Sequence, residues 1–250
     1  MLRKVRILKW LKDKPEEIED LVCVEETFEI YAISEEKVWI TSLIASPSQL
    51  RELGAGFLVG EGYVKPQNII SSEVKDNSIL VTIRGNLLRE PGFIPQRTDC
   101  GIMRGLLTGE ELHDSLRITP EMIAQLMEKS LSLAENWRKT GGMHWAGLFD
   151  ADGKKVAFAE DIGRHNAVDK VIGKAILNGI DLRDCILVSS GRMPSPMVKK
   201  VVNARIPVIV TKSPPTDKGV TLAREFGITL VGFARGKRFN VYSGGYRLTI

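Results

Sequence analysis

The feature that most constrains the fold lies beyond residue 141, where short apolar runs alternate with segments of helical period. Runs at 185–189, 206–211 and 228–233 read as strands, and 196–203 and 217–226 between them place apolar residues on one helical face. Strands separated by helices of this length require crossover connections and hence a parallel sheet. Upstream, 145–149 and 155–159 flank Asp150-Ala151-Asp152-Gly153, a hairpin signal, and a helix is expected over 164–178. The hairpin makes the sheet mixed.

The first hundred residues are β-rich. Strands are expected at 27–33 and 37–46, and 69–74 faces 78–84 across an Asp76-Asn77 turn. Between these, 48–59 has helical period, with an N-cap in its Ser48-Gln49-Leu50-Arg51-Glu52 opening. Gly54, Gly56 and Gly60 on this helix would let neighbouring backbone approach closely. Residues 86–109 carry Pro91, Gly92, Pro95, Gly101, Gly105 and Gly109 without periodicity and read as a long loop. A single helix is expected over 120–139, ended by Gly141-Gly142. The fold class is therefore α/β, α+β over the whole chain. A smaller β-rich N-terminal domain (1–110) ends in the loop that carries Cys100, and an α/β domain with a mixed sheet follows (111–250).

No apolar run approaches the roughly 20 residues that a bilayer crossing needs. The basic N-terminus alternates charge with apolar residues and lacks the apolar core of a secretory signal, which points to the cytoplasm. A net charge of +4 fits an anionic ligand and does not identify nucleic acid. His113, His144 and His165 show no metalloprotease spacing, the three cysteines form no paired motif, and no metal site is expected. Gly-x-Ser-x-Gly, Walker and dinucleotide-binding glycine motifs are also absent.

In open parallel sheets ligands settle outside the carboxyl ends of the strands, where helix N-termini present free N–H groups. Four such ends here are polar: Glu160-Asp161-Ile162-Gly163-Arg164-His165-Asn166, Ser189-Ser190-Gly191-Arg192, Lys212-Ser213-Pro214-Pro215-Thr216, and Phe233-Ala234-Arg235-Gly236-Lys237-Arg238. Each has an ordinary structural explanation when taken singly, since Asp161 can cap a helix, Arg164 can pair with Glu160, and Ser190-Gly191 can be a turn. Four cationic ends on one sheet edge point to phosphate recognition. His165 reads as a hydrogen-bonding or structural residue rather than a base. Cys23 and Cys185 lie in apolar strand-like surroundings and read as small buried hydrophobes. Cys100, in a glycine-flanked loop with Arg97 and Arg104 nearby, is the one candidate covalent residue.

Gly56-Phe57-Leu58-Val59-Gly60-Glu61-Gly62, Thr98-Asp99-Cys100-Gly101, Gly141-Gly142-Met143-His144 and the block from Glu160 through Lys170 together resemble the FdhD family of formate dehydrogenase accessory sulfurtransferases. Ser190 to Arg192, Ser213 to Thr216, Gly232 to Arg235 and Asn240 to Tyr242 extend the resemblance over nearly the whole chain from about residue 25. It implies that a cysteine desulfurase loads sulfur onto Cys100, which passes it as a persulfide to the molybdenum or tungsten bis(pterin guanine dinucleotide) cofactor of formate dehydrogenase. It also implies a cytidine-deaminase-like C-terminal fold, a homodimer, and guanine dinucleotide binding by Phe233, Ala234, Arg235, Gly236, Lys237 and Arg238, with GDP as a binding fragment. The strand-end reading adds Arg164, His165, Asn166, Arg192 and Thr216 to the expected ligand-binding set. Neither nucleic acid nor a membrane is an expected partner.

The family pattern Cys-Gly-x-Cys-Gly is broken here. The chain has Cys100-Gly101-Ile102-Met103-Arg104-Gly105, and Met103 can form neither a persulfide nor a resolving disulfide. Pro194 and Pro196 after Arg192 stiffen a ligand-side loop. Two further readings stay open: a cofactor-binding chaperone without transfer chemistry, and a nucleotide-metabolising enzyme, which the missing zinc ligands weaken.

Overall fold

Period-two burial sets the N-terminal sheet. In β3 (Glu26–Ile33) Phe28, Ile30 and Ala32 are buried while the residues between them are partly exposed. This computed structural model describes residues 1–12, 14–91, 112 and 116–249. β3 pairs antiparallel with β4 (Lys37–Ala45) and parallel with β6 (Ser78–Ile83), whose other edge takes β5 (Ile69–Lys75), giving the order β4-β3-β6-β5. The β5–β6 turn falls at Asp76-Asn77 as expected, with Asp76 at a φ of 51°. Helix α1 (Leu50–Gly60) links the two halves of this sheet.

The six-stranded sheet has the order β12 (Arg238–Ser243), β11 (Thr229–Arg235), β10 (Val208–Thr211), β9 (Cys185–Ser189), β7 (His144–Asp150), β8 (Lys155–Asp161). β9, β10 and β11 run parallel, separated by α5 (Ser195–Ala204) and α6 (Asp217–Glu225). β7 and β8 form the expected hairpin. Asp150 Oδ1 organises its turn by accepting from the backbone N–H groups of Asp152 and Lys154. Because β7 is antiparallel to both β8 and β9, β8 points the same way as β9, β10 and β11. Their four carboxyl ends therefore share one edge. β12, which the sequence reading did not separate from β11, returns antiparallel along it.

One hydrophobic core joins the four-stranded sheet, α1, α4 (Arg164–Leu177), α5 and one face of the six-stranded sheet; a second lies between the other face and α2 (Pro120–Leu133). The helices meet through glycine. A Cβ on Gly56 would sit 1.8 Å from the carbonyl oxygen of Asp169, and one on Gly173 would sit 1.9 Å from that of Glu52, so α1 and α4 cross at backbone contact. At the same seam Lys200 Nζ lies 2.8 Å from Asp169 Oδ2 and 2.5 Å from Glu61 Oε1, with all three side chains buried.

Two expectations are corrected, and one element appears that the sequence did not assign. Ser48 does not cap α1: its hydroxyl meets Met1 Sδ at 2.7 Å, and the cap position is Gln49, at a φ of 50°, whose amide donates instead to the Phe158 carbonyl. The helix expected over 120–139 breaks at Ala134 into α2 and α3 (Glu135–Thr140). In an unbroken helix the N–H groups of Asn136 and Trp137 would bond carbonyls four residues back; here both donate to the Glu160 carboxylate, at 3.1 and 2.7 Å. The unassigned element is a two-stranded ribbon of β1 (Leu2–Leu11) and β2 (Lys14–Cys23). The long loop from residue 92, with the proposed domain boundary and Cys100, lies outside the described residues.

Candidate functional site

Three of the four strand ends, those of β9, β10 and β11, are joined by a run of hydrogen bonds to the start of β7, beside which β8 ends. Ser190 N donates to the Trp145 carbonyl, and Trp145 N returns a bond to Ser190 Oγ, both at 3.0 Å. Ser213 Oγ donates to the Ser190 carbonyl at 2.7 Å, Thr211 Oγ1 to that of Gly191 at 2.6 Å, and Phe233 N to that of Ser213 at 3.4 Å. The loops after β9, β10 and β11 thus form one continuous rim with the start of β7. On its far side the Arg164 side chain lies along Gly191, where a Cβ would come within 3.0 Å of it. Four strand spacings make the row from β8 to β11 about 19 Å long, enough for an extended nucleotide.

The structure sorts the expected ligand residues by what their side chains already do. Asn166 donates to the Ile44 carbonyl and to Asp161, so its amide is committed inside the fold. Thr216 caps α6 by accepting from Gly219 N at 3.2 Å. Ala234 is buried in the core beneath α2, which leaves only its backbone for a ligand. Phe233, Arg235, Gly236, Lys237 and Arg238 are exposed on the β11–β12 hairpin. Phe233 takes a φ of 54°, uncommon for a bulky residue, at the irregular register between Gly232 and Arg235. Arg192 is exposed at the rim and Arg164 half-buried at the first turn of α4.

Asp161, open between a cap and a ligand group, is fully buried and satisfied internally. It takes the Lys170 ammonium at 2.6 Å and the N–H groups of Ser46 and Gly163. Glu160 holds α3 rather than Arg164. His165 is half-buried beside Arg164; burial first, then the charges of Lys200 and Arg164, push its pKa down to about 3, so it is neutral and no base at ordinary pH. Burial pushes the Cys185 thiol up to about 12, and Cys23 Sγ rests 3.3 Å from Thr140 Oγ1. The reading of Cys185 as a buried hydrophobe stands.

Two residues outside the expected set belong to the rim. Breaking the helix at Ala134 delivers Trp137, over whose ring Lys212 Nζ sits 4.6 Å from the centroid. His144, at the start of β7, places Nδ1 3.2 Å from Ser190 Oγ. The signal for His144 was present in the Gly141-Gly142-Met143-His144 motif. That for Trp137 was not, because it depends on where the helix breaks.

Fold and rim together define a class: a mixed-sheet α/β protein with a cationic edge suited to an anionic ligand. Its particular kind follows from comparison with known proteins. The FdhD/NarQ family model matches residues 23–249, and the chain belongs to that family. It is 40% identical to protein FdhD of Methanocaldococcus jannaschii over 98% of both chains. It is 37% identical to sulfur carrier protein FdhD of Sulfolobus acidocaldarius, over 100% of this chain and 99% of that one. A crystal structure of a candidate formate dehydrogenase accessory protein from Desulfotalea psychrophila superposes with a TM-score of 0.81 at 28% identity, covering 100% of this chain and 99% of that one.

Proposed function

We propose that this chain is a sulfur carrier in formate dehydrogenase maturation, taking persulfide sulfur from a cysteine desulfurase onto Cys100. The acceptor is a molybdenum or tungsten bis(pterin guanine dinucleotide) held along the strand-end rim. The observation that carries the reading is the rim itself: three carboxyl ends joined by hydrogen bonds with that of β8 beside them, bearing Arg164, Arg192, Lys212, Arg235, Lys237 and Arg238 on one edge. Family membership and relatives named sulfur carrier protein FdhD support the sulfur chemistry.

In loading, the Cys100 thiolate attacks the terminal sulfur of the desulfurase persulfide; the donor sulfur–sulfur bond breaks and the desulfurase cysteine leaves as thiolate. Release of that sulfur as sulfide takes two electrons, supplied by an external thiol that forms a disulfide with Cys100 as sulfide departs. Met103 in place of a second motif cysteine makes an external thiol necessary. The same substitution favours one competing reading, a cofactor chaperone without transfer, and Cys100 separates the two. Incubation with a cysteine desulfurase and cysteine, followed by intact mass measurement, should add sulfur to wild type and not to Cys100→Ala. No addition to wild type leaves the chaperone. For the rim, Arg235→Ala and Lys237→Ala should each weaken GDP binding about tenfold. Unchanged affinity in both would remove the hairpin from the site. Assembly as a homodimer belongs to the same proposal.

A further inference from the structure

Ser190 Oγ receives the Trp145 backbone N–H at 3.0 Å, and that direction is fixed because an amide nitrogen can only donate. The hydroxyl proton must then point elsewhere. Among the described residues the acceptor within reach is His144 Nδ1, at 3.2 Å. Were Nδ1 protonated, the serine oxygen could accept from both N–H groups with its two lone pairs, but its own proton would have no acceptor among the described residues. The arrangement is satisfied when Nδ1 is bare and the proton sits on Nε2.

The surroundings agree with a neutral ring. His144 is half-buried; burial lowers its pKa, and the Arg164 and Arg192 charges lower it further against the opposing effect of Asp161. It lies directly across the β7–β8 ladder from Asp161, whose carboxylate is consumed by Lys170, Ser46, Gly163 and Asn166. With Nδ1 occupied by Ser190, Nε2–H is the ring's remaining polar group.

We infer that Ser190 is a positioning residue that locks His144 in the Nε2–H form, and that His144 donates this hydrogen bond to an anionic oxygen of the ligand between Arg164 and Arg192. The ligand class is a nucleoside diphosphate or the diphosphate arm of a larger nucleotide. The two arginines supply charge, which is weakly directional; a neutral imidazole adds a directional donor without further cationic repulsion. This deepens the strand-end reading above and rests on it for the identity of the ligand. The tautomer does not depend on it.

Two measurements test the inference. In ligand-free protein with 15N-labelled histidine at pH 7.5, two-bond proton–nitrogen correlation should show the His144 ring neutral with Nε2 protonated, assigned by its loss in His144→Gln. Ser190→Ala should shift this pattern toward the Nδ1–H form, whereas Ser190→Thr, which keeps the hydroxyl, should retain it. A wild-type ring that is protonated on Nδ1, or is an imidazolium, overturns the lock. In GDP titrations His144→Phe should weaken binding about tenfold, and His144→Gln, which keeps an N–H near the position of Nε2, should recover most of the loss. Wild-type affinity in His144→Phe overturns the donor role. Failure of wild type to bind GDP at all would sink the strand-end reading and the ligand half of the inference, leaving the lock to stand or fall on the correlation spectra.

Discussion

His165 shows how burial rather than residue type decides what an ionisable group does. Its folded pKa of about 3 lies below the 6.5 of an unperturbed histidine, so as pH falls from 7 the unfolded chain takes up this proton before the folded one does. The depressed group thus contributes stability that is fully present above pH 6.5 and is lost as pH falls toward 3. At pH 5 the deficit is about 2 kcal/mol. His165→Gln, which cannot titrate, should narrow the difference in urea-unfolding free energy between pH 7 and pH 5 by that amount relative to wild type. An unchanged difference would show that His165 titrates near its ordinary value. From its placement beside an arginine the sequence reads this histidine as hydrogen-bonding or structural rather than a base, and it offers no route to the size of the pKa shift. That size depends first on burial in the folded chain and then on Lys200, which arrives from α5, 35 positions along the chain. Asp161 teaches the converse lesson. As a lone acidic residue after a strand it could be either cap or ligand group, and only the tertiary partners Lys170 and Ser46 decide between them. The fates of Asn166 and Thr216 were hidden for the same reason: side chains of capping type look alike whether they face a helix end or a ligand.

The elements were legible where one period or one turn dominated. The alternation beyond residue 184 gave the parallel strands, and Asp150 to Gly153 gave the hairpin. Boundaries set by distant partners were not legible, as with the break at Ala134, imposed by Glu160 from β8. Of the three α1 glycines expected to admit neighbouring backbone, only Gly56 does so, and the structure ranks them. At Gly56 an added Cβ meets the α4 backbone at 1.8 Å, whereas at Gly54 it meets the Ile79 side chain at 2.4 Å and at Gly60 the Asp169 and Lys200 side chains near 3 Å. Backbone cannot rotate away as a side chain can. Gly56→Ala and Gly173→Ala should therefore each push α1 and α4 apart and lower the unfolding free energy by about 3 kcal/mol or more, at the upper end of overpacking costs. Gly60→Ala should cost less. Chemical denaturation of the three variants checks the order, and a Gly56→Ala protein as stable as wild type would show that the seam is slack. The seam also carries Lys200, whose pKa burial alone would lower but which Asp169 and Glu61 hold above its usual value. Lengthening it would expose that cluster to water.

At the scale of the whole molecule the N-terminal ribbon stands outside both hydrophobic cores. Neither hydrophobic core includes a residue before Phe28, and Leu8, Trp10 and Leu11 near the ribbon's turn are 61%, 67% and 47% exposed. The family model begins at residue 23, where β2 ends. The ribbon was not foreseen because its alternation has no buried face to reveal it: charges occupy both sides, with Lys4 paired across to Leu21 and Lys9 to Glu16. An isolated two-stranded hairpin is marginal in water, and this one is anchored at its base, where Val24 N donates to the Met1 carbonyl and Cys23 meets Thr140. Because the ribbon buries no core side chain, replacing residues 4–21 with a short glycine-serine turn, which keeps Met1 to Arg3 and Val22 to Val24, should change the global unfolding free energy by less than about 1 kcal/mol. Hydrogen exchange should agree. Amides of β1 and β2 in the intact protein should exchange through local opening, far faster than those of β9 and β10, whose opening requires the whole sheet to come apart. A loss of several kcal/mol on ribbon replacement, or ribbon amides protected as strongly as β9, would mean that β1 and β2 fold as part of the cooperative unit.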